Sequence, residues 1–257
     1  MEILFEINQG IARVTLNRPE VYNAFNRSMA LQMQMYLTEA ANSDEVRAVV
    51  ITGNGKAFSA GQDLGEAVDP EGPGLETILS EHYNPIIRKI ASINKPVIAL
   101  VNGVAAGAGA NIALACDVVI AQEQASFIQA FSKIGLIPDS GGTFFLPRLI
   151  GSQKALALMM TGDKVSAKEA EKMNMIFKAV PSDSYETFTA DFVAQVANMP
   201  TKALALTKKA VQLSWFQSLD EQLNTELNLQ VEAGNTADFN EGVQAFLEKR
   251  IPNFTGK

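Results

Sequence analysis

The 257-residue sequence predicts an α/β fold made of repeated strand-strand-helix turns, followed by a helical C-terminal part. Three observations predict it. Short apolar runs such as Val46–Thr52 and Val97–Val101 recur between amphipathic stretches, as buried strands do. Strand candidates arrive in pairs before a helix, unlike the strict alternation of a doubly wound sheet. From Ser184 onward the chain reads as helix, with breaks at Pro200 and Gly234-Asn235.

Ile3–Ile7 and Ile11–Leu16 read as a hairpin turned at Asn8-Gln-Gly10. Asn26-Arg-Ser28 opens an amphipathic helix that reaches about Asn42. Val46–Thr52 is a strand buried on both faces, and Gly53-Asn-Gly55 turns the chain. Lys56–Leu64 begins strand-like and becomes a loop of small residues. After the plain loop Asp69–Gly74, Leu75–Ile93 forms one helix carrying His82. Lys95-Pro96 leads into the strand Val97–Val101, the small-residue loop Gly103–Ala110 and an apolar helix from Ala110. Asp117–Ala121 and Ala125–Ile128 are strands, and Lys133–Thr143 is a second small-residue loop. Phe144–Ile150 and Ser152–Met160 are helical, Ser166 heads a helix through a capping box with Glu169, and Ala179-Val180 is extended.

Composition narrows the function. Apolar residues make up 47%, enough for a substantial core. A net charge of −7 argues against a nucleic-acid partner, which needs a basic surface. The single cysteine, Cys116, excludes an intrachain disulfide and fits a reducing, cytoplasmic setting. The alternating start leaves no signal peptide, and no apolar run is long enough for a membrane span. No residue cluster has metal-ligand spacing, so the expectation is no metal.

Two small-residue loops stand out, Ser59-Ala-Gly-Gln-Asp63 and Gly107-Ala-Gly109. Each follows a buried strand and can present a free backbone N–H. Two such donors on one oxygen make an oxyanion hole; composition alone favours the alternative, a pair of tight packing turns. Gly107-Ala-Gly109 is not a dinucleotide loop, since the third glycine position is Ile112. Asp139, among Pro138 and Ser140-Gly141-Gly142, is either a desolvated acid suited to moving a proton or the cap of the next helix. Asp117 organises a turn, Cys116 is a core residue, and His82 is a half-exposed helix histidine without a nucleophile partner. Asp63 with Leu64 fixes the turn after the first loop.

Four motifs in order then show a resemblance: Asn17-Arg-Pro with Asn23-Ala, Phe58-Ser-Ala-Gly-Gln-Asp-Leu64, Asn102-Gly-Val-Ala-Ala-Gly-Ala-Gly109 and Gly135-Leu-Ile-Pro-Asp-Ser-Gly-Gly-Thr143. Together they resemble the crotonase (enoyl-CoA hydratase/isomerase) superfamily over essentially the whole chain. The resemblance implies a crotonase-like spiral over residues 1–195 and a helical region, 196–257, that builds a homotrimer or a hexamer of two trimers. It implies an acyl-CoA thioester substrate with no separate cofactor. It assigns the enolate donors to the N–H groups of Gln62 and Ala108. Val21, Ala60, Asp63 and Leu64 fall where the family binds the CoA arm and substrate. Phe246 and Lys249 match positions where the last helix, commonly of a neighbouring subunit, meets the nucleotide end.

Departures from the family pattern shape the expected reaction. Where hydratases of the family carry two glutamates, this chain has Asn111 and Phe131. Asparagine is no general base and phenylalanine cannot orient water. Asp139 remains as the acid, which points to isomerisation through a thioester enolate. Within the superfamily the look is of the ring-epoxide isomerases of phenylacetyl-CoA, shared in Val68–Pro73, Ala130–Asp139 and Lys249–Lys257. Phe131, Phe144 and Phe145 suit an aromatic acyl group or the core. A hydratase with unorthodox residues and a non-catalytic acyl-CoA-binding subunit are the competing readings.

Overall fold

A computed structural model describes residues 1–257. The chain opens with β1 (Ile3–Asn8) and β2 (Ile11–Leu16), paired as the antiparallel hairpin the turn residues predict. Helix α1 (Arg27–Asn42) starts where expected, because the Asn26 side chain accepts from the Met29 N–H at 2.8 Å. Next come β3 (Ala48–Gly53), β4 (Ala57–Ser59), and the short helices α2 (Leu64–Ala67) and α3 (Gly74–Thr77). A π-helical turn, Ile78–Tyr83, leads into α4 (Asn84–Ser92). The middle of the chain holds β5 (Val97–Val101), β6 (Val104–Ala106), α5 (Ala108–Leu114), β7 (Val118–Gln122) and β8 (Ser126–Ile128). A 3-10 turn, Ala130–Ile134, precedes α6 (Gly142–Ile150), α7 (Ser152–Thr161), β9 (Lys164–Ser166), α8 (Ala167–Lys172) and β10 (Lys178–Val180). Four helices finish the chain: α9 (Tyr185–Ala197), α10 (Thr201–Leu213), α11 (Leu219–Gly234) and α12 (Ala237–Glu248).

The strands form two sheets, β1-β2-β3-β5-β7-β10 and β4-β6-β8-β9. Three consecutive turns of the chain put one strand in the large sheet and the next in the small one: β3 then β4, β5 then β6, β7 then β8. That is the strand-strand-helix spiral. The central strands are apolar over most of their length because both faces are covered. Val49, Ile51, Val97, Ala99 and Val101 face the main core, while Val50, Ile98 and Ile120 pack against Tyr185 and Val193 of α9. Further contacts fasten the C-terminal helices. The Lys208 ammonium donates to the Ile90 carbonyl at 2.8 Å and to Asp117 at 2.9 Å, and Arg47 reaches Thr201 and the Met199 carbonyl. No helix is long and apolar enough to cross a membrane.

Several expectations are corrected. Gly103–Ala110 is not one loop: it contains β6, and α5 starts at Ala108 rather than Ala110. A three-residue strand of Val and Ala has too little periodicity to show itself, and the same holds for β9. Leu75–Ile93 is not a uniform helix, since the π-helical turn interrupts it. A break not expected from the sequence separates α10 from α11, where Ser218 and Glu221 make a reciprocal capping box. His82 is buried, not half-exposed, with 1% of its surface accessible.

Candidate active site

Adjacent parallel strands β4, β6 and β8 of the small sheet end on the same side. Each releases a loop there, and the carboxyl ends of parallel strands are where open α/β sheets leave a crevice. After β4 come Ala60–Asp63, after β6 come Gly107 and Ala108, and after β8 come Gln129 and eventually Asp139. The first two loops touch backbone to backbone. A Cβ on Gly61, whose φ is +92°, would stand 2.9 Å from the Ala106 carbonyl oxygen and 3.3 Å from the Ala108 nitrogen. A Cβ on Gly109 would meet the Ser59 carbonyl at 2.6 Å. Only tiny residues permit these approaches.

The direction of the Gln62 N–H follows from strand alternation. Gln62 forms an isolated parallel bridge with Phe25, in which the Phe25 N–H donates to the Gly61 carbonyl at 2.7 Å and the Asp63 N–H donates to the Phe25 carbonyl at 2.8 Å. The Gln62 N–H therefore points to the opposite side. Ala108 is the first residue of α5, so its N–H has no acceptor within the helix. Both residues line one cleft of about 180 Å³, whose walls include Leu75, Ile78, Leu79, Phe131 and Leu136. Asp139 is the only carboxylate lining it. A larger groove, of about 740 Å³, lies between α10 and α11, but it is a solvent-open furrow between helix faces, and chemistry selects the smaller cleft.

Asp139 is half-buried, and burial pushes its carboxyl above the usual carboxylate range, only partly offset by the Ser140 hydroxyl donating at 2.8 Å. The side chain does not cap α6, whose N-cap is Gly141. What fixes the acid is a residue pair the sequence did not single out for this task. The Asn111 Nδ2 donates to the Asp139 carbonyl at 2.8 Å, and Asn111 Oδ1 accepts from Gln129 Nε2 at 2.8 Å. Asn111 is fully buried and Gln129 nearly so. Gly142 makes room for the pair, since a Cβ there would lie 2.4 Å from Asn111 Nδ2.

Other expected site residues divide. Ala60 and Leu64 line the cleft and are exposed. Val21 does not line it but adjoins it, because the Ala60 N–H donates to the Tyr22 carbonyl at 2.9 Å. Asp63 is engaged in structure: its carboxylate accepts from both terminal nitrogens of Arg18 at 3.1 Å and caps the Gly65 N–H. Phe246, in the last turn of α12, and Lys249, which caps it, are exposed, and Phe246 lines a different groove, with Phe239, Val243 and Phe254. Phe131 belongs to the cleft wall, whereas Phe144 and Phe145 meet Trp215 edge to face, outside the cleft lining. His82 faces away from the cleft, with its Nε2 3.0 Å from the Arg27 guanidinium; burial and then that positive charge lower its pKa. Its neighbour Tyr83 does line the cleft, and the sequence offered no signal for that beyond its place in a helix. Cys116 is the core residue expected. Asp117 organises the turn as expected, accepting from the Val97 N–H at 2.8 Å.

Comparison with known proteins matches residues 6–257 of this chain to a family model described as enoyl-CoA hydratase/isomerase. The chain is similar to a protein named "Probable enoyl-CoA hydratase" from Rhodobacter capsulatus, with 49% identity covering 99% of this chain and 98% of the relative. It is also similar to the 1,2-epoxyphenylacetyl-CoA isomerase of Escherichia coli, 44% identical over 99% of this chain and 98% of that one. The crystal structure of an enoyl-CoA hydratase from Bacillus anthracis superposes with a TM-score of 0.93 at 32% identity, covering 100% of both chains.

Proposed function

The chain belongs to the enoyl-CoA hydratase/isomerase family and is an enzyme acting on CoA thioesters, and we propose that it isomerises its substrate rather than hydrating it. The Asp139 carboxylate removes a proton from C2 of the acyl group. The Gln62 and Ala108 N–H groups hold the enolate oxygen that forms. Collapse of the enolate breaks an epoxide C–O bond or shifts a double bond, and Asp139 returns the proton where the product requires it. Pre-aimed backbone donors of this kind are worth about 3 kcal/mol of transition-state stabilisation each. The substrates that fit are 1,2-epoxyphenylacetyl-CoA and enoyl-CoA esters, with Phe131 in the wall against the acyl group. The coenzyme travels with the substrate, so no further cofactor enters the reaction.

One observation carries this reading: Asp139 is the only carboxylate on the cleft. Asn111 is fully buried with both ends of its amide engaged, which leaves it no part in activating water. Ala60, Leu64 and the adjoining Val21 form the entrance proposed for the CoA arm, with Asp63 holding the turn. Phe246 and Lys249 would complete the nucleotide end from a neighbouring copy in a homotrimer or a pair of trimers. The test is Asp139→Asn. Loss of isomerisation and of solvent-deuterium exchange at C2 by about 10³-fold, in a protein that still folds and binds acyl-CoA, is expected; near-full activity removes the assignment. The Rhodobacter relative's name favours hydration as a second reading. Enzymatic loss of the enoyl absorbance of crotonyl-CoA would establish it.

A further inference from the structure

We propose that Tyr83 is the positioning residue that aims the Gln62 N–H at the thioester oxygen; this rests on the reading of Gln62 as an enolate donor. The Tyr83 hydroxyl lies 2.9 Å from Gln62 Oε1, and both residues line the cleft. The direction of that bond follows from the other end of the amide. Gln62 Nε2 lies 3.1 Å from the Glu66 carboxylate, which only accepts, so the amide nitrogen faces Glu66 and its oxygen faces Tyr83. The phenol therefore donates its single hydrogen to Gln62. Glu66 in turn accepts from the Arg27 N–H at 2.9 Å, at the start of α1. The side chain of Gln62 is thus held at both ends, between a helix start and a buried phenol with 1% of its surface accessible. Its backbone is held by the Phe25 bridge on one side only, so the side chain supplies the remaining restraint on where its N–H points.

The π-helical turn explains how Tyr83 reaches this position. It sets His82 and Tyr83 on opposite duties: His82 against Arg27 on the α1 side, Tyr83 against Gln62 in the cleft. Burial, reinforced by the Asp139 charge, raises the phenol pKa well above its usual value, so the donor hydrogen stays in place across the working pH range.

The experiment compares Tyr83→Phe, Gln62→Ala and the double variant, using [1-13C]phenylacetyl-CoA as the probe. Two quantities are read: the downfield carbonyl shift of the bound thioester and the rate of solvent-deuterium exchange at C2. Gln62→Ala keeps the backbone N–H and removes only its side-chain restraint. Each single variant is expected to shrink the carbonyl shift and slow exchange about 10-fold, with Kd for the probe changed less than 3-fold. The double variant is expected to be no worse than either single one. A Tyr83→Phe effect that persists in full on the Gln62→Ala background overturns the proposal, and so does an unchanged carbonyl shift in Tyr83→Phe. If the wild-type protein polarises the bound carbonyl but exchanges nothing at C2, the isomerase reading fails while the carbonyl shifts still decide the role of Tyr83.

Discussion

Asp139 combines a raised pKa with a loop that is pinned by its backbone rather than by its carboxylate. Burial is the first cause of the shift, so the group enters the reaction as a base only above its raised pKa. Activity should therefore fall as pH drops through that value, and the acid limb of kcat/KM should lie above the ordinary aspartate pKa of about 3.9. In Asp139→Asn that limb should vanish with the activity. Asn111 acts one step back. Asn111→Ala would leave the Asp139 carbonyl and the Gln129 amide without their buried partner, costing about 2 kcal/mol in denaturant unfolding. It should also lower kcat more than it raises KM, because the acid loop loses its anchor. Unchanged stability and kcat would refute that role. The resemblance marked Asn111 by what it lacks, but its two hydrogen bonds required the fold to become visible.

At the scale of elements, the site is a product of strand order. Parallel neighbours β4, β6 and β8 must release their loops on one side, so residues near 62, 108 and 139 meet without any local sequence instructing them to. Gly109 sets the distance between the first two loops. Gly109→Ala would drive a methyl group into the Ser59 backbone, push α5 away from β4 and part the Gln62 and Ala108 donors. We expect a stability loss of about 2–3 kcal/mol and a kcat loss larger than stability alone explains. Thermal unfolding and C2 exchange on the same preparation check both. The glycine was visible in the sequence as part of a small-residue loop. The partner that makes it indispensable, Ser59, lies at the end of β4, fifty positions earlier in the chain.

At the scale of the molecule, α11 exposes Leu219, Leu223, Leu227 and Val231 at four-residue spacing, an apolar stripe along one helix face. Phe246 is 83% exposed and outside the cleft of its own chain. The proposed trimer would cover both features. Sedimentation velocity should give a mass of three or six chains, and Leu223→Glu with Leu227→Glu should shift it toward one. KM for the thioester should rise in the same variant if Phe246 and Lys249 complete a neighbouring site as proposed. A wild-type protein that sediments as one chain would overturn the assembly.

The sequence by itself determined the fold class, the paired-strand rhythm and the family, and it singled out Asp139 as a candidate acid. Those properties are written in local patterns: apolar runs for strands buried on both faces, caps for helix starts, and small residues where backbones approach. Only the tertiary structure decided which polar groups hold that acid and the first donor. Asn111, Gln129 and Tyr83 touch residues 28, 18 and 21 positions away. A side chain's hydrogen-bond partner at that separation depends on strand pairing and burial, which are properties of the packed molecule and not of any stretch of the chain.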